Sequence, residues 1–484
     1  MKLTHLAAFG FLLSMSAYAA RMDLEASGTL DVSHVPQEQW YNLAQKEIHG
    51  NGPILGIPGG VKHAPPLNQL SGEDCWSFAL AEKIQTFLYV HKERGTNPVL
   101  KIGPDYLEFW HIYDQIVNHL YDYQEAVGEV QTVAKRRKAT PEDLIAEIKK
   151  SFKLDKSSSP PRKARKSKAL DTVTNLFQPD VGNLASTAID EIEKYGIAPY
   201  KVVKTKVKTD EQENQLEAEI ANVTGQIILD AIDNKTPLST YAEDESGKVN
   251  EPLYQLLKTH LEPIFKAKLI RPTDTWVHDG KTYSPHSLYG IIKHFGLDYK
   301  KDFRALVATP ATHAQALKAI AIALLTDDQP VPIGITLLSD EVNADKKTNR
   351  DFAEATGLFT ETVCPRGGCV ENEGGHEIVV VNFLGTTSDG QPLPKGIRAK
   401  DEIAMLQDGR LKVTELIIEN SWGFFGGTDV NGNPPPENQK KHGGYYILTS
   451  DYLLNSGSKE INDMWDFVLP NSVADQFPHL KKSE

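Results

Sequence analysis

The stretch Asn68-Gln69-Leu70-Ser71-Gly72-Glu73-Asp74-Cys75-Trp76-Ser77-Phe78-Ala79 decides how this chain reads. Polar, turn-forming residues give way to a helical pattern. Leu80, Ile84, Phe87 and Leu88 fall at i, i+4, i+7 and i+8, one apolar face of a helix predicted over 74–94. Asp74 is a good N-cap for it. Cys75 therefore stands at a helix N-terminus, where the peptide dipoles favour the thiolate, the nucleophilic form of cysteine. By itself a lone cysteine on a helix is more often an inert core residue. Its meaning depends on what the rest of the chain can bring to it.

Two distant segments supply candidates. In Gly374-Gly375-His376-Glu377-Ile378-Val379-Val380 a histidine enters a buried strand, and the glycines leave open space before it. In Ile417-Ile418-Glu419-Asn420-Ser421-Trp422-Gly423 an asparagine ends another strand. A cysteine nucleophile needs an imidazole partner, and the imidazole needs an orienting carbonyl. Cys75, His376 and Asn420 supply all three in that order. Gln69, on the loop before the helix, could join the Cys75 backbone N–H in holding an oxyanion.

Length and composition set the frame. The chain has 484 residues, 40% hydrophobic and 24% charged, which is ordinary for a soluble globular protein of several domains. A net charge of −13 argues against nucleic acid as a partner. The N-terminus has a secretory layout: Lys2, an apolar run from Leu6 to Ser16, then Ala17-Tyr18-Ala19. The expectation is a signal peptide over 1–19 cleaved near Ala19, and a secreted or periplasmic protein without a membrane anchor. An oxidising compartment permits disulfides, and Cys364-Pro-Arg-Gly-Gly-Cys369 is the candidate pair, with Cys75 left over as a functional thiol or an intermolecular link.

Residues 20–66 read as an extended arm rich in Pro and Gly toward its end. A second helix is expected at about 104–123, and further helices at 183–195, 210–233, 250–268 and 312–326. Residues 149–168, basic and interrupted by Ser157-Ser158-Ser159-Pro160-Pro161, read as a solvated loop. Strands are expected at Val331–Leu338, Ile378–Phe383, Leu416–Ile418 and Tyr445–Leu448. Helices crowd the first two-thirds and strands the last third, which predicts α+β architecture. The division expected is a helical lobe over 67–305 and a β-rich lobe with the C-terminal tail over 306–484.

Taken together, Gln69, Cys75-Trp76-Ser77-Phe78-Ala79, His376 and Asn420-Ser421-Trp422-Gly423 resemble the papain-like cysteine peptidases. His376 and Asn420 follow Cys75 by 301 and 345 residues, against roughly 130–150 in a minimal member. The long spacing is more similar to the bleomycin hydrolase and aminopeptidase C branch. Pro104-Asp105-Tyr106-Leu107-Glu108-Phe109-Trp110 and Ile192-Glu193-Lys194-Tyr195-Gly196-Ile197-Ala198-Pro199 resemble segments of that branch. The resemblance implies a two-lobed fold, with the Cys helix in one lobe and His and Asn in the other. It implies amide hydrolysis of a peptide or protein substrate through an acyl-enzyme, without a cofactor or metal. Cys75 would attack, His376 would exchange the proton, Asn420 would hold the imidazole under the shield of Trp422, and Trp76 would support the nucleophile's helix.

Three features depart from the family pattern. Glu73 and Asp74 precede the nucleophile, where they oppose a thiolate or attract a cationic substrate group; Asp74 reads equally well as the N-cap alone. Glu377 follows the histidine, either perturbing it or pointing away. The tail from Phe467 to Glu484 does not match the branch's cleft-entering C-terminus, so exopeptidase action does not carry over. Gly375 joins Glu73 and Asp74 as a candidate substrate contact. A non-catalytic binding module and a papain-fold acyltransferase stand as alternatives.

Overall fold

The computed structural model describes residues 75–90, 102–152, 185–203, 210–243, 248–278, 280–294, 297–327, 330–338, 358–359, 372–391, 397–420, 445–455 and 465–482. The signal segment, the arm, Gln69, Glu73, Asp74, Cys364, Cys369, Trp422 and the basic stretch beyond Phe152 lie outside the described residues.

The chain opens with helices α1 (Cys75–Val90), α2 (Pro104–Asn118), α3 (Leu120–Arg137), α4 (Pro141–Phe152), α5 (Ala185–Tyr195), α6 (Asp210–Ile232) and α7 (Glu251–Phe265). A small hairpin, β1 (Trp276–His278) with β2 (Lys281–Tyr283), and helix α8 (Pro285–His294) complete this part. The expected second helix is two helices. The chain turns at His119, whose φ of −90° and ψ of 2° leave the helical region, and α3 then runs to Arg137. The region expected to be a basic loop from 149 begins as the last turn of α4. There Glu142 and Asp143 favour the N-terminus and Thr140 Oγ1 caps the Asp143 N–H at 3.1 Å.

The helices share one core, centred on Trp110. Its ring stacks on Tyr195 at 4.3 Å and on Tyr254 at 5.8 Å, which ties α2 to α5 and α7. Tyr106 donates to the Tyr195 carbonyl at 2.7 Å, and Lys194 bridges Asp114 and Glu243 at 2.8 Å each. The chain then leaves α5 through Gly196, at φ +75°. A Cβ there would lie 2.4 Å from the Pro285 backbone, so the Glu193-Lys194-Tyr195-Gly196 segment ends on a glycine for both conformational and steric reasons.

The second part is built on strands β3 (Phe303–Ala308), β4 (Val331–Leu338), β5 (Leu358–Phe359), β6 (Asn372–Thr387), β7 (Leu411–Glu419), β8 (Tyr445–Thr449), β9 (Trp465–Pro470) and β10 (Lys481–Lys482), with helices α9 (His313–Asp327) and α10 (Ala399–Asp408). The eight strands form one sheet in the order β10-β3-β9-β4-β6-β7-β8-β5, antiparallel except between β5 and β8. The apolar side chains of residues 306–480 form a second core with Ala79, while those of 76–303 with Val468 form the first. The molecule is thus α+β with a helical lobe and a β-rich lobe. The tail from Trp465 is built into the sheet: β9 pairs with β3 and β4, and Lys481–Lys482 pairs with Leu306–Val307 near the sheet edge.

Helix α1 belongs to both lobes. Trp76, Leu80, Ile84 and Phe87 enter the helical core, and Ala79 enters the sheet core. The single apolar face read from the sequence is therefore incomplete. Ser77, Glu82, Lys83, Gln85 and Thr86 are buried too. Lys83 shows how a charge is accommodated there: its Nζ donates to the Pro330 carbonyl at 2.8 Å and sits 4.8 Å from the Phe303 ring centre.

One buried acid in the β-rich lobe lacks compensation. Glu402 in α10 is 1% exposed, and its Oε2 has no hydrogen-bond partner among the described residues. Burial pushes its pKa up to about 7. Between the ordinary glutamate range and pH 7 the folded chain holds a proton that the unfolded chain has released. Stability therefore falls as pH rises through that window, and the loss is complete above it. Glu402→Gln is expected to raise unfolding stability at pH 8 by about 2–3 kcal/mol and to change it little at pH 4.5. Urea unfolding midpoints of both proteins at the two pH values check this.

Candidate active site

Three elements converge on one point. Helix α1 lies across β4 and β6, with Cys75 in its first turn. The N–H of Glu377, on β6, donates to Cys75 Sγ at 3.3 Å, although the two residues are 302 apart in sequence. This contact places the thiol against β6 at the register of His376 and Glu377.

The edge is available because of the way the sheet is paired. Strand β7 pairs with β6 only from Val379 onward, opposite Glu419. Before Val379 the β7 side of β6 has no strand partner among the described residues. Asn420 follows the last residue of β7 and closes the site from that side. His376 Nε2 lies 2.8 Å from Asn420 Oδ1. An amide oxygen there fixes the hydrogen on Nε2, so Nδ1 is the nitrogen that can take a thiol proton. All three side chains are removed from bulk water: Cys75 is 8% exposed, His376 4% and Asn420 fully buried. A shielded amide–imidazole bond keeps its direction.

Successive residues of a strand face opposite sides. His376 shares its face with Ile378 and stands opposite Ile335 of β4. Glu377 points to the other face, so the question raised by its sequence position is answered: its side chain turns away from the imidazole and its backbone serves the thiol. Gly375 lies on the Glu377 face, is exposed, and has nothing within 4 Å of a built Cβ among the described residues.

Trp76 turns into the helical lobe. Its ring meets His111 of α2 edge-on at 5.2 Å. His111 Nδ1 pairs with Glu191 of α5 at 2.5 Å, and its Nε2 lies 2.8 Å from Gln115 Nε2. This buried polar chain anchors the start of α1, and Trp76 supports the nucleophile through it. His111 and Glu191 were missed in the sequence, because His111 sits singly inside an apolar helical pattern and Glu191 is one of several charges, Asp190, Glu193 and Lys194 among them, that read as a solvated face. Also missed were Asp466 and Gly334, which stand beside Glu377 in the folded sheet. A charge between Trp465 and Phe467, and a glycine between Ile333 and Ile335, were the available signals.

The electrostatics at the thiol are mixed. The Glu377 N–H and the N-terminus of α1 favour the thiolate. Against them stand buried carboxyls on the neighbouring strands. Glu419 is held well above the ordinary glutamate range by burial, which weakens its opposition to the thiolate. Among the described residues no group of three His, Cys, Asp or Glu side chains is placed to hold a metal ion, and no helix is long and apolar enough to cross a membrane.

No family model matches the chain, and no curated protein matches it. Among solved structures, it is similar to PepW from Lactobacillus rhamnosis HN001 at 13% identity and a TM-score of 0.43, over 99% of this chain and 95% of that one. It is also similar to xylellain, a cysteine protease from Xylella fastidiosa, at 12% identity and a TM-score of 0.30, over 84% of this chain and 82% of that one. Likenesses this distant assign no activity, so the functional reading rests on the geometry above.

The geometry makes a prediction that needs no substrate. At pH 6, alkylation of Cys75 by iodoacetamide is expected to be about tenfold or more slower in His376→Ala than in the unsubstituted protein, because the thiolate loses its cationic partner. Peptide mapping by mass spectrometry separates Cys75 from Cys364 and Cys369. Equal rates would remove His376 from the thiol's surroundings.

Proposed function

We propose that the chain is a papain-like cysteine peptidase that hydrolyses peptide bonds through a thioester on Cys75. The observation that carries the reading is the joining of three remote residues: the thiol held by the Glu377 N–H, His376 beside it in β6, and Asn420 on the far imidazole nitrogen. A thiol, a base and an orienting carbonyl in this arrangement are the requirements of nucleophilic acyl transfer.

The steps follow from the atoms. Cys75 Sγ adds to the scissile carbonyl carbon after its proton has passed to His376 Nδ1. The Cys75 backbone N–H and the Gln69 amide would receive the oxyanion. Collapse breaks the C–N bond, and the departing amine takes the proton from Nδ1. Water then gives a proton to Nδ1 and adds to the thioester, and the acid product leaves as Cys75 recovers its hydrogen. Asn420 keeps the ring in one orientation through both halves.

The same acyl-enzyme would serve an acyltransferase if an amine replaced water. The burial of Cys75, of the His376–Asn420 pair, and of the Glu377 backbone that holds the thiol favours catalysis over a binding role. The reading also takes the protein to be exported after loss of residues 1–19, on the sequence layout alone, with aminopeptidase action as its narrower form.

The test is a peptide library in which each peptide is present both free and N-acetylated, followed by mass spectrometry under mild reductant. Cleavage is expected to fall at least about 10³-fold in Cys75→Ala. Removal of one or two residues from free peptides alone would make it an aminopeptidase, and internal cleavage of both forms an endopeptidase. Absence of any Cys75-dependent cleavage would overturn the proposal.

A further inference from the structure

Helices α1, α2 and α5 pack against one another, and at their junction the helical core buries an ionisable pair. His111 of α2 is 5% exposed and Glu191 of α5 is 4% exposed. The imidazole Nδ1 lies 2.5 Å from Glu191 Oε1. Its Nε2 lies 2.8 Å from the amide nitrogen of Gln115, a group that only donates. The ring hydrogen therefore sits on Nδ1 and points at the carboxylate. With both ring nitrogens engaged, the plane of the imidazole has one orientation.

Such a pair adds little to stability. Burial holds the Glu191 carboxyl above the ordinary glutamate range, even with the hydrogen bond from His111 opposing it. Two apolar side chains of similar volume would pack a junction of this kind at least as stably. The pair is better explained by what it fixes.

What it fixes is Trp76. The indole is fully buried, and its ring meets His111 edge-on at 5.2 Å. Trp76 follows Cys75 in the first turn of α1, where the backbone N–H groups lack partners within the helix. The two neighbours are drawn to opposite lobes. Trp76 enters the helical core, and the thiol meets the Glu377 N–H of β6. The seat of Trp76 thus sets how the first turn presents Cys75 to β6. Apolar packing alone loses a unique arrangement before it loses stability. Directional bonds at both nitrogens of the neighbouring ring leave the indole one seat.

Resting on the peptidase reading, we infer that His111 and Glu191 are positioning residues of the nucleophile, acting on Cys75 through Trp76. Neither touches the reacting atoms. Their contribution is the placement of Sγ beside His376, and a misplacement of that kind slows the chemical step more than it weakens substrate binding.

The test replaces the polar link without leaving an orphaned charge. In the full chain, His111→Phe combined with Glu191→Leu keeps a ring against Trp76 and apolar volume at 191. This double variant is expected to keep its urea unfolding midpoint, since buried pairs exchanged for apolar residues commonly do. Its kcat on the library peptide cleaved fastest should fall about tenfold or more, with KM within about twofold. Alkylation of Cys75 by iodoacetamide at pH 6 should slow about threefold or more. Glu191→Gln keeps an acceptor for the Nδ1 hydrogen and should hold both rates within about twofold of the unsubstituted protein. A folded double variant with both rates unchanged would overturn the inference. So would a double variant that no longer folds, which would make the pair structural, and so would Glu191→Gln losing both rates as fully as the double variant. Absence of Cys75-dependent cleavage in the unsubstituted protein would reject the peptidase reading, and the alkylation rates alone would then decide the positioning.

Discussion

Helix α1 is the constraint on which the rest depends. It is buried on all sides because each lobe uses a different stripe of it as a wall. A helix in that position cannot rotate or slide without disturbing two cores. Cys75 is thereby fixed in its first turn against β6, and the Lys83 contact with Pro330, two turns on, pins the other part of the helix to the start of β4. The nucleophile is positioned by packing, and the hydrogen bonds at the site refine a geometry already set.

The strand pairing supplies the second condition. Because β7 stops at Glu419, one side of β6 lacks a strand partner at His376 and Glu377 among the described residues. A backbone N–H that would otherwise join a sheet ladder serves the thiol instead. Alternation along β6 then sorts the chemistry by face: imidazole and amide on one side, the Glu377 and Asp466 carboxyls on the other. Gly334 leaves the space that both acids share.

Much of this was legible in the sequence. Strand Val331–Leu338 and helices near 210–233 and 312–326 were marked by runs of β-branched residues or by helical periodicity, signals that local structure alone produces. His376 and Asn420 were legible because one enters and the other ends an apolar strand, each with a polar group that chemistry needs. The division of one expected helix at His119 was not, since neither glycine nor proline marks it. Nor was the two-sided burial of α1, because Glu82, Lys83 and Gln85 read as a solvated face until a second lobe covers them. The meeting of Asp466, Gly334 and Glu377 depends on β9 pairing beside β4, a long-range contact that no local pattern encodes.

The central claim is that Cys75 becomes covalently acylated with His376 and Asn420 in attendance. Rapid acid quenching of the protein during turnover of an activated peptide ester, followed by peptide mapping, measures this directly. The account predicts an acyl adduct on the peptide containing Cys75, abundant in the unsubstituted protein and depleted in His376→Ala. An adduct confined to Cys364 or Cys369, or ester turnover with no adduct on Cys75, would contradict it.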